Sequence, residues 1–220
     1  MKVFIVGSRG HDQYGTMFRK QGWSIVTSIK AADLVQFTGG EDVNPELYGE
    51  PCHKMTGFNN DRDMFELLTF KVCMQEHKPM AGICRGGQFL NVANGGKMYQ
   101  DVNNHAMYKG HQVYDLRDGT IFHATSTHHQ MMRAGKLGEV IAIAHEATYK
   151  EWMEGTDEAP VEAGQYWTTA DENKLGDIEV VWYEHTHSLC FQPHPEYAGE
   201  IDLANRYFSY INEFCFGKEE

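Results

Sequence analysis

The sequence predicts an α/β fold: a three-layer sandwich in which a mainly parallel central sheet carries helices on both faces and ends in a small antiparallel extension. Three observations lead there. Short apolar segments at residues 2–8, 23–27, 34–38 and 79–83 alternate with segments of helical periodicity. Crossover helices between such strands set them parallel and cover the sheet on both sides. After Gly96 the pattern changes to strand-like segments joined by turns, which is the signature of an antiparallel extension.

In order, residues 2–8 read as a buried first strand, and 10–22 as a helix with Tyr14, Met17 and Phe18 on one side. Strands follow at 23–27 and at 34–38, the latter ending in Gly39-Gly40. Residues 41–60 are turn-rich, with Pro45, Pro51 and several glycines. Acidic residues crowd the first turn of a helix over 61–76, whose apolar face is expected to be Met64, Leu67, Leu68, Val72 and Cys73. Residues 79–96 read as strand, sharp turn and helix, closed by Gly95-Gly96. Further strands are expected at 111–116, 120–124, 139–144, 178–183 and 188–192, and an amphipathic closing helix at 199–214. The polar stretch 148–176, with Gly155, Pro160 and Gly164, predicts a long loop or insertion. No repeat, low-complexity segment or domain boundary breaks the chain, so residues 1–220 read as one domain.

A chain of 220 residues can bury a proper core. Its 19 Lys and Arg against 31 Asp and Glu give a net charge of −12, which argues against a broad nucleic-acid or anionic-membrane surface. The cysteines are Cys52, Cys73, Cys84, Cys190 and Cys215. Their number is odd and no CxxC occurs, which fits free thiols in a reducing compartment. No run approaches membrane-spanning length, and the short apolar start reads as a strand rather than a signal peptide. A cytoplasmic protein is expected.

The chemistry gathers around Gly82-Ile83-Cys84-Arg85-Gly86-Gly87-Gln88. A nucleophile on a strand-to-helix elbow is exposed at a tight turn, and the positive end of the following helix favours a thiolate. A catalytic cysteine needs a base, and the base needs a partner that fixes its tautomer. His194, stiffened by Pro193 and Pro195, is the candidate base, and Glu196 the candidate orienting carboxylate. The backbone N–H of Arg85 is one candidate oxyanion donor. Gly40, at the end of another strand, is the second; each such donor is worth roughly 3–4 kcal/mol of barrier.

The elbow together with His194-Pro195-Glu196 resembles the class I glutamine amidotransferase domain, and within it the gamma-glutamyl-gamma-aminobutyrate hydrolase branch, peptidase family C26. The resemblance extends through Thr38-Gly39-Gly40-Glu41-Asp42-Val43-Asn44-Pro45-Glu46-Leu47-Tyr48-Gly49-Glu50, Arg62-Asp63 with Glu66, Asn91-Val92 to Gly95-Gly96, Gln100-Asp101 and Ser126-Thr127-His128-His129-Gln130. It covers nearly the whole chain and implies a flavodoxin-like fold. It further implies that Cys84 attacks a γ-glutamyl amide and forms a thioester, with His194 moving the proton. Gln88 and the backbone around Ser126 and Thr127 would hold the α-amino and α-carboxylate end. The family usually has tryptophan where Pro193 stands.

Other residues carry blander readings. Cys73, Cys190 and Cys215 read as small buried hydrophobes. The Arg62, Asp63 and Glu66 set fits simple helix-start electrostatics equally well, and Asp42 fits a turn. His185 and His187, on one face of a strand, and His128-His129 raise the question of a metal. Zinc needs three or four convergent ligands, and neither HExxH nor a paired CxxC is present, so no metal and no cofactor is expected. Three functions compete: a stand-alone γ-glutamyl hydrolase, a glutaminase subunit feeding ammonia to a synthetase partner, and a catalytically silent binding module. The oligomeric state is not read from the sequence.

Overall fold

The computed structural model describes residues 1–7, 10, 12–102, 105–144, 149–152, 155–156, 159–160, 165–168, 177–197 and 199–217. The first half runs β1 (Lys2–Ile5), α1 (Gln13–Lys20), β2 (Ser24–Ile25), β3 (Leu34–Phe37), α2 (Asn60–Gln75), β4 (Met80–Ile83) and α3 (Arg85–Ala93). Next come β5 (Lys97–Tyr99), β6 (Asp101–Val102), β7 (Ala106–Asp115), β8 (Ile121–Thr127), β9 (Met131–Arg133) and β10 (Glu139–Ala144). The chain continues with β11 (Tyr149–Trp152), β12 (Gly155–Thr156), β13 (Ala159–Pro160) and β14 (Gln165–Thr168). It closes with β15 (Asp177–Tyr183), β16 (Ser188–Phe191) and α4 (Ile201–Tyr210).

The main sheet has the order β2-β1-β3-β4-β16-β15-β10-β7-β8. Its first five strands pair in parallel, and β16 onward pair antiparallel. This is the α/β sandwich with an antiparallel extension that the sequence predicts. Both faces of the parallel half are covered, so alternate residues of one strand enter different cores. Leu34, Ala81 and Ile83 pack with Phe18, Tyr207 and Phe208 on one face. Val35, Phe37 and Met80 pack with Phe70, Phe89 and Leu90 on the other. Helix starts are capped as their sequences suggest: Asp12 accepts from the Gly15 N–H, and Asn59 from Asp61 and Arg62.

Helix α2 corrects one expectation. Of the predicted apolar face, Met64, Leu68 and Val72 are exposed, joined by Phe65, while Leu67 and Cys73 pack inward. The buried stripe is Asp63, Glu66, Thr69, Phe70 and Cys73. The helix is turned by its two buried carboxylates, whose partner is Arg85 (below).

The predicted loop over 148–176 also differs. Within it β11 pairs with β6 and β14, and β12 with β13. The parts at 148, 153–154, 157–158, 161–164 and 169–176 lie outside the described residues. His185 and His187 do not share a strand face: residues Glu184–Thr186 form a 3₁₀ turn, and His187 follows with φ of +50°. The closing helix runs on as one π-helical turn, Ile211–Cys215. All five cysteines are free thiols. Among the described residues, no helix is long and apolar enough to cross a membrane.

Candidate active site

Cys84 stands between the end of β4 and the start of α3, and its side chain is largely buried. Its φ and ψ are +50° and −114°, a conformation that L residues rarely adopt and that costs about 1–3 kcal/mol unless the surroundings impose it. Here they do. The Cys84 N–H donates to the Phe191 carbonyl at 2.8 Å, and its own carbonyl accepts from Gln88 at 2.9 Å. Gly86 lets the elbow pack directly on β3: a Cβ there would meet the Phe37 carbonyl carbon at 2.5 Å. The Arg85 N–H lies in the first turn of α3, where amides have no intrahelical partner.

His194 reaches this elbow from the loop after β16. Cys84 and His194 flank Gly39: a Cβ on Gly39 would lie 3.6 Å from Cys84 Cβ and 3.1 Å from His194 Cε1. His194 Nδ1 is 2.6 Å from Glu196 Oε1, so the sequence-predicted base and carboxylate are hydrogen-bonded. Burial disfavours the charged ring, but charge and hydrogen bonding from Cys84, together with those from Glu196, push His194 up to about 11. Two further contacts fix the ring. The His194 N–H donates to Thr125 Oγ1 at 2.6 Å, tying the loop to β8. Tyr197 stacks on the imidazole at 4.5 Å between centroids. No pattern in the sequence marks Thr125.

The loop after β3 is held from behind by Arg62. Its Nη2 donates to the carbonyls of Thr38 at 2.8 Å and Gly39 at 3.0 Å. Across a trans peptide the next N–H points opposite to the carbonyl, so the Gly40 N–H is directed away from Arg62. Gly40 has φ of +142°, and a Cβ there would collide with Arg62 Nη1 at 2.1 Å; only glycine fits. Tyr14 completes the loop, its hydroxyl accepting from the Gly39 N–H at 2.8 Å.

Arg62 belongs to a buried ionic network. Its Nε donates to Glu66 Oε1 at 2.9 Å, Arg85 pairs with Glu66 Oε2 and Asp63 Oδ1, and Asp63 Oδ2 accepts from the Asn44 N–H at 3.1 Å. Burial and the neighbouring Arg62 pull the Arg85 guanidinium down to about 10, which leaves it charged at neutral pH. The helix-start reading of this set is therefore incomplete: the network fastens α2 to the elbow and to the glycine loop at once.

Beside Cys84 opens a cavity of about 350 Å³ whose walls include Gly40, Asp42, Gln88, Thr127, His128 and His129. Gln88 is buried, and its Nε2 donates to the Gln130 carbonyl and to Gln192 Oε1, both at 3.1 Å. What it offers the cavity is therefore an acceptor. Thr127 is exposed and its hydroxyl lies 3.2 Å from that of Tyr197. The Ser126 side chain is buried on another side, donating to the His105 carbonyl, so its hydroxyl faces away from the cavity. Asp42 and His129, which sequence reasoning left without a site role, pair at 3.1 Å on the cavity wall. Hydrogen bonding to Asp42, opposed by burial, raises His129. A larger groove of about 710 Å³ runs between α1 and the start of α4 past Glu196, but Cys84 does not line it.

The sequence model of the Peptidase C26 family matches residues 17–196. The chain is 30% identical over 185 residues to the glutamine amidotransferase-like protein YvdE of Lactococcus lactis, covering 81% of this chain and 72% of that one. Several further relatives match over less than half of their own length. Among solved structures, a glutamine amidotransferase from Thermotoga maritima superposes with a TM-score of 0.59 at 12% identity, covering 96% of this chain and 84% of the other. PurLQS from the same organism gives 0.58 at 14% identity, covering 96% and 97%. The chain belongs to the Peptidase C26 family, among the class I glutamine amidotransferase-like proteins.

Proposed function

We propose that this chain is a cysteine hydrolase that cleaves the γ-glutamyl amide bond of glutamine or a γ-glutamyl-amine. The observation that carries the reading is the meeting of Cys84, on a positive-φ elbow, with a His194 ring held by Glu196 at 2.6 Å. Cys84 Sγ attacks the amide carbonyl carbon. The oxyanion that forms is received by the N–H groups of Arg85 and Gly40. The C–N bond breaks as His194 gives its proton to the leaving nitrogen, and a γ-glutamyl thioester remains. His194 then takes a proton from water, whose oxygen attacks the thioester. The C–S bond breaks, glutamate leaves, and the thiolate is restored. Glu196 orients the ring and balances its charge. The α-ammonium end is matched by the acceptor of Gln88 and by Asp42, and the α-carboxylate by the Arg85-side helix start and His129.

The test supplies purified protein with glutamine and a panel of γ-glutamyl-amines, follows glutamate release, and looks by mass spectrometry for an acyl adduct on Cys84. Turnover of at least one γ-glutamyl-amine, abolished in Cys84→Ala and in His194→Ala, is expected. Full activity in Cys84→Ala refutes the assignment. A second reading, a glutaminase subunit delivering ammonia to a synthetase, is supported by the fold shared with PurLQS. It requires near silence alone and stimulation by an added synthetase. A catalytically silent module would leave Cys84 unreactive towards a glutamine-like electrophile in the folded protein.

A further inference from the structure

On the antiparallel side of the cavity, three histidines converge on one buried oxygen of a glutamate from a distant part of the chain. His105 immediately precedes β7, His111 lies on β7, His128 follows β8, and Glu179 lies on β15. Each is at most 6% exposed and Glu179 is fully buried. Glu179 Oε1 is 3.0 Å from His111 Nε2, 3.6 Å from His105 Nδ1 and 3.9 Å from His128 Nε2. The ligand atoms of His105, His111 and Glu179 all lie within 4.8 Å of one another. Four ligands around a tetrahedral zinc, with bonds of about 2.0–2.1 Å, are separated by edges of roughly 3.3 Å.

The outer contacts prepare the inner lone pairs. His105 Nε2 is 2.8 Å from Asp177 Oδ2, so that nitrogen carries the hydrogen and Nδ1 turns its lone pair inward. His128 Nδ1 donates to the Gln130 carbonyl at 2.8 Å, so Nε2 turns its lone pair inward too. Ser126 Oγ, 3.5 Å from His105 Nδ1, donates to the His105 carbonyl instead. A metal-bound histidine commonly gives its other N–H to a carboxylate or carbonyl in this way. Both Glu179 oxygens and His128 Nε2 are buried without a hydrogen-bond partner among the described residues. A buried carboxylate facing inward lone pairs is unfavourable unless a proton or a metal cation lies between them.

We propose that His105, His111 and Glu179, closed by His128, bind one divalent transition-metal ion, with zinc the ion whose ligand chemistry and geometry they fit. The three ligand atoms lie within 4.8 Å of one another, and His128 Nε2, 3.9 Å from the same carboxylate oxygen, is the side chain placed to complete the buried nitrogen and oxygen set. The ion would pin β7 and β15 to the segment 128–130, which forms one wall of the cavity. This inference stands apart from the catalytic reading and needs none of its residues.

The experiment uses the full chain carrying Cys84→Ala, which removes a competing thiolate. The protein is stripped with a chelator, loaded with Zn²⁺, desalted against a weak chelator and analysed for retained metal. About one zinc per chain is expected, with a higher thermal midpoint than the stripped protein. Co²⁺ loading should give the visible d–d bands of a four-coordinate ion without thiolate charge transfer. His111→Gln and Glu179→Gln should each reduce retained zinc at least tenfold, and Asp177→Asn should weaken affinity by about 10–100-fold. Retained zinc unaffected by these three variants overturns the proposal, because the metal then sits elsewhere. Where a variant fails to fold, the Cys84→Ala chain decides alone: no retained zinc and no rise in thermal midpoint also overturn it.

Discussion

Two buried polar networks flank the Cys84 cavity, and they solve the burial of charge differently. On the parallel side, Asp63 and Glu66 face Arg85 and Arg62, and every carboxylate oxygen receives a donor. Two permanent cations balance two anions, and of the buried polar atoms of Asp63, Glu66 and Arg85 the Arg85 Nε is left without a hydrogen-bond partner among the described residues. On the antiparallel side, Asp177 and Glu179 face three imidazoles, and among the described residues neither Glu179 oxygen accepts a hydrogen bond. A guanidinium carries its charge at all relevant pH values, whereas an imidazole must acquire a proton or yield its lone pair to a metal. The first network is therefore a fixed clamp, and the second is a cluster whose completion depends on what is added to it.

Breaking the clamp gives the largest expected effect. Arg85→Leu keeps the side-chain bulk but leaves Asp63 and Glu66 buried without their shared cation. Removing one partner of a buried ion pair costs about 3–5 kcal/mol, so urea unfolding should show a loss of that size. Asp63→Asn with Glu66→Gln in the same chain should restore part of it, because the uncompensated anions are gone. A loss below about 1 kcal/mol for Arg85→Leu would mean that the clamp does not hold α2 to the elbow.

A smaller effect is expected at Glu196, where charge is balanced beside Cys84. His194 is raised to about 11 in the fold against an ordinary 6.5. A group raised on folding stabilises the folded state when protonated; that contribution is complete below about 6.5 and is lost as pH climbs towards 11. Glu196→Gln removes one of the two sources of the shift and leaves Cys84. Above neutral pH, the stability advantage of the parent over Glu196→Gln should therefore shrink as pH rises towards 11. Chemical denaturation at a series of pH values reads this directly, and a pH-independent difference contradicts the assigned pairing. Activity should fall less in Glu196→Gln than in His194→Ala, since Glu196 acts through the ring.

The contrast also explains what the sequence could reveal. The elbow and the His194-Pro195-Glu196 turn are contiguous motifs, and each places its chemistry within a few residues of backbone. The parallel strands were equally legible, because burial on both faces leaves uninterrupted apolar runs such as residues 34–37. The antiparallel cluster has no such signature. Its four members stand at positions 105, 111, 128 and 179 with no regular spacing, and only strand pairing brings them together. The strands β11 to β14 were hidden because their polar, glycine-containing segments gain their order from pairing with β6 and with one another. Thr125 was hidden because its role is to receive one backbone N–H from a distant loop.

In helix α2 the smallest effect is expected, from a substitution on its exposed apolar face. Apolar periodicity assigns Met64, Leu68 and Val72 to the core, yet Leu68 is 57% exposed and Met64 53%. The reason lies in the clamp. Positions 63, 66, 70 and 73 recur at helical spacing, and bringing Asp63 and Glu66 to Arg85 carries Phe70 and Cys73 inward on the same stripe. Met64, Phe65, Leu68 and Val72 are then rotated outward. A buried leucine cut back to a small side chain costs about 2–5 kcal/mol, whereas an exposed one changes stability by about 0.5 kcal/mol or less. Leu68→Ser should therefore be nearly neutral in urea unfolding, while Phe70→Ala, on the buried stripe itself, should cost about 3–5 kcal/mol. If Leu68→Ser instead cost as much as a core truncation, α2 would be seated by its apolar residues after all, and the ion pairs behind the elbow would be passengers rather than the element that sets its rotation.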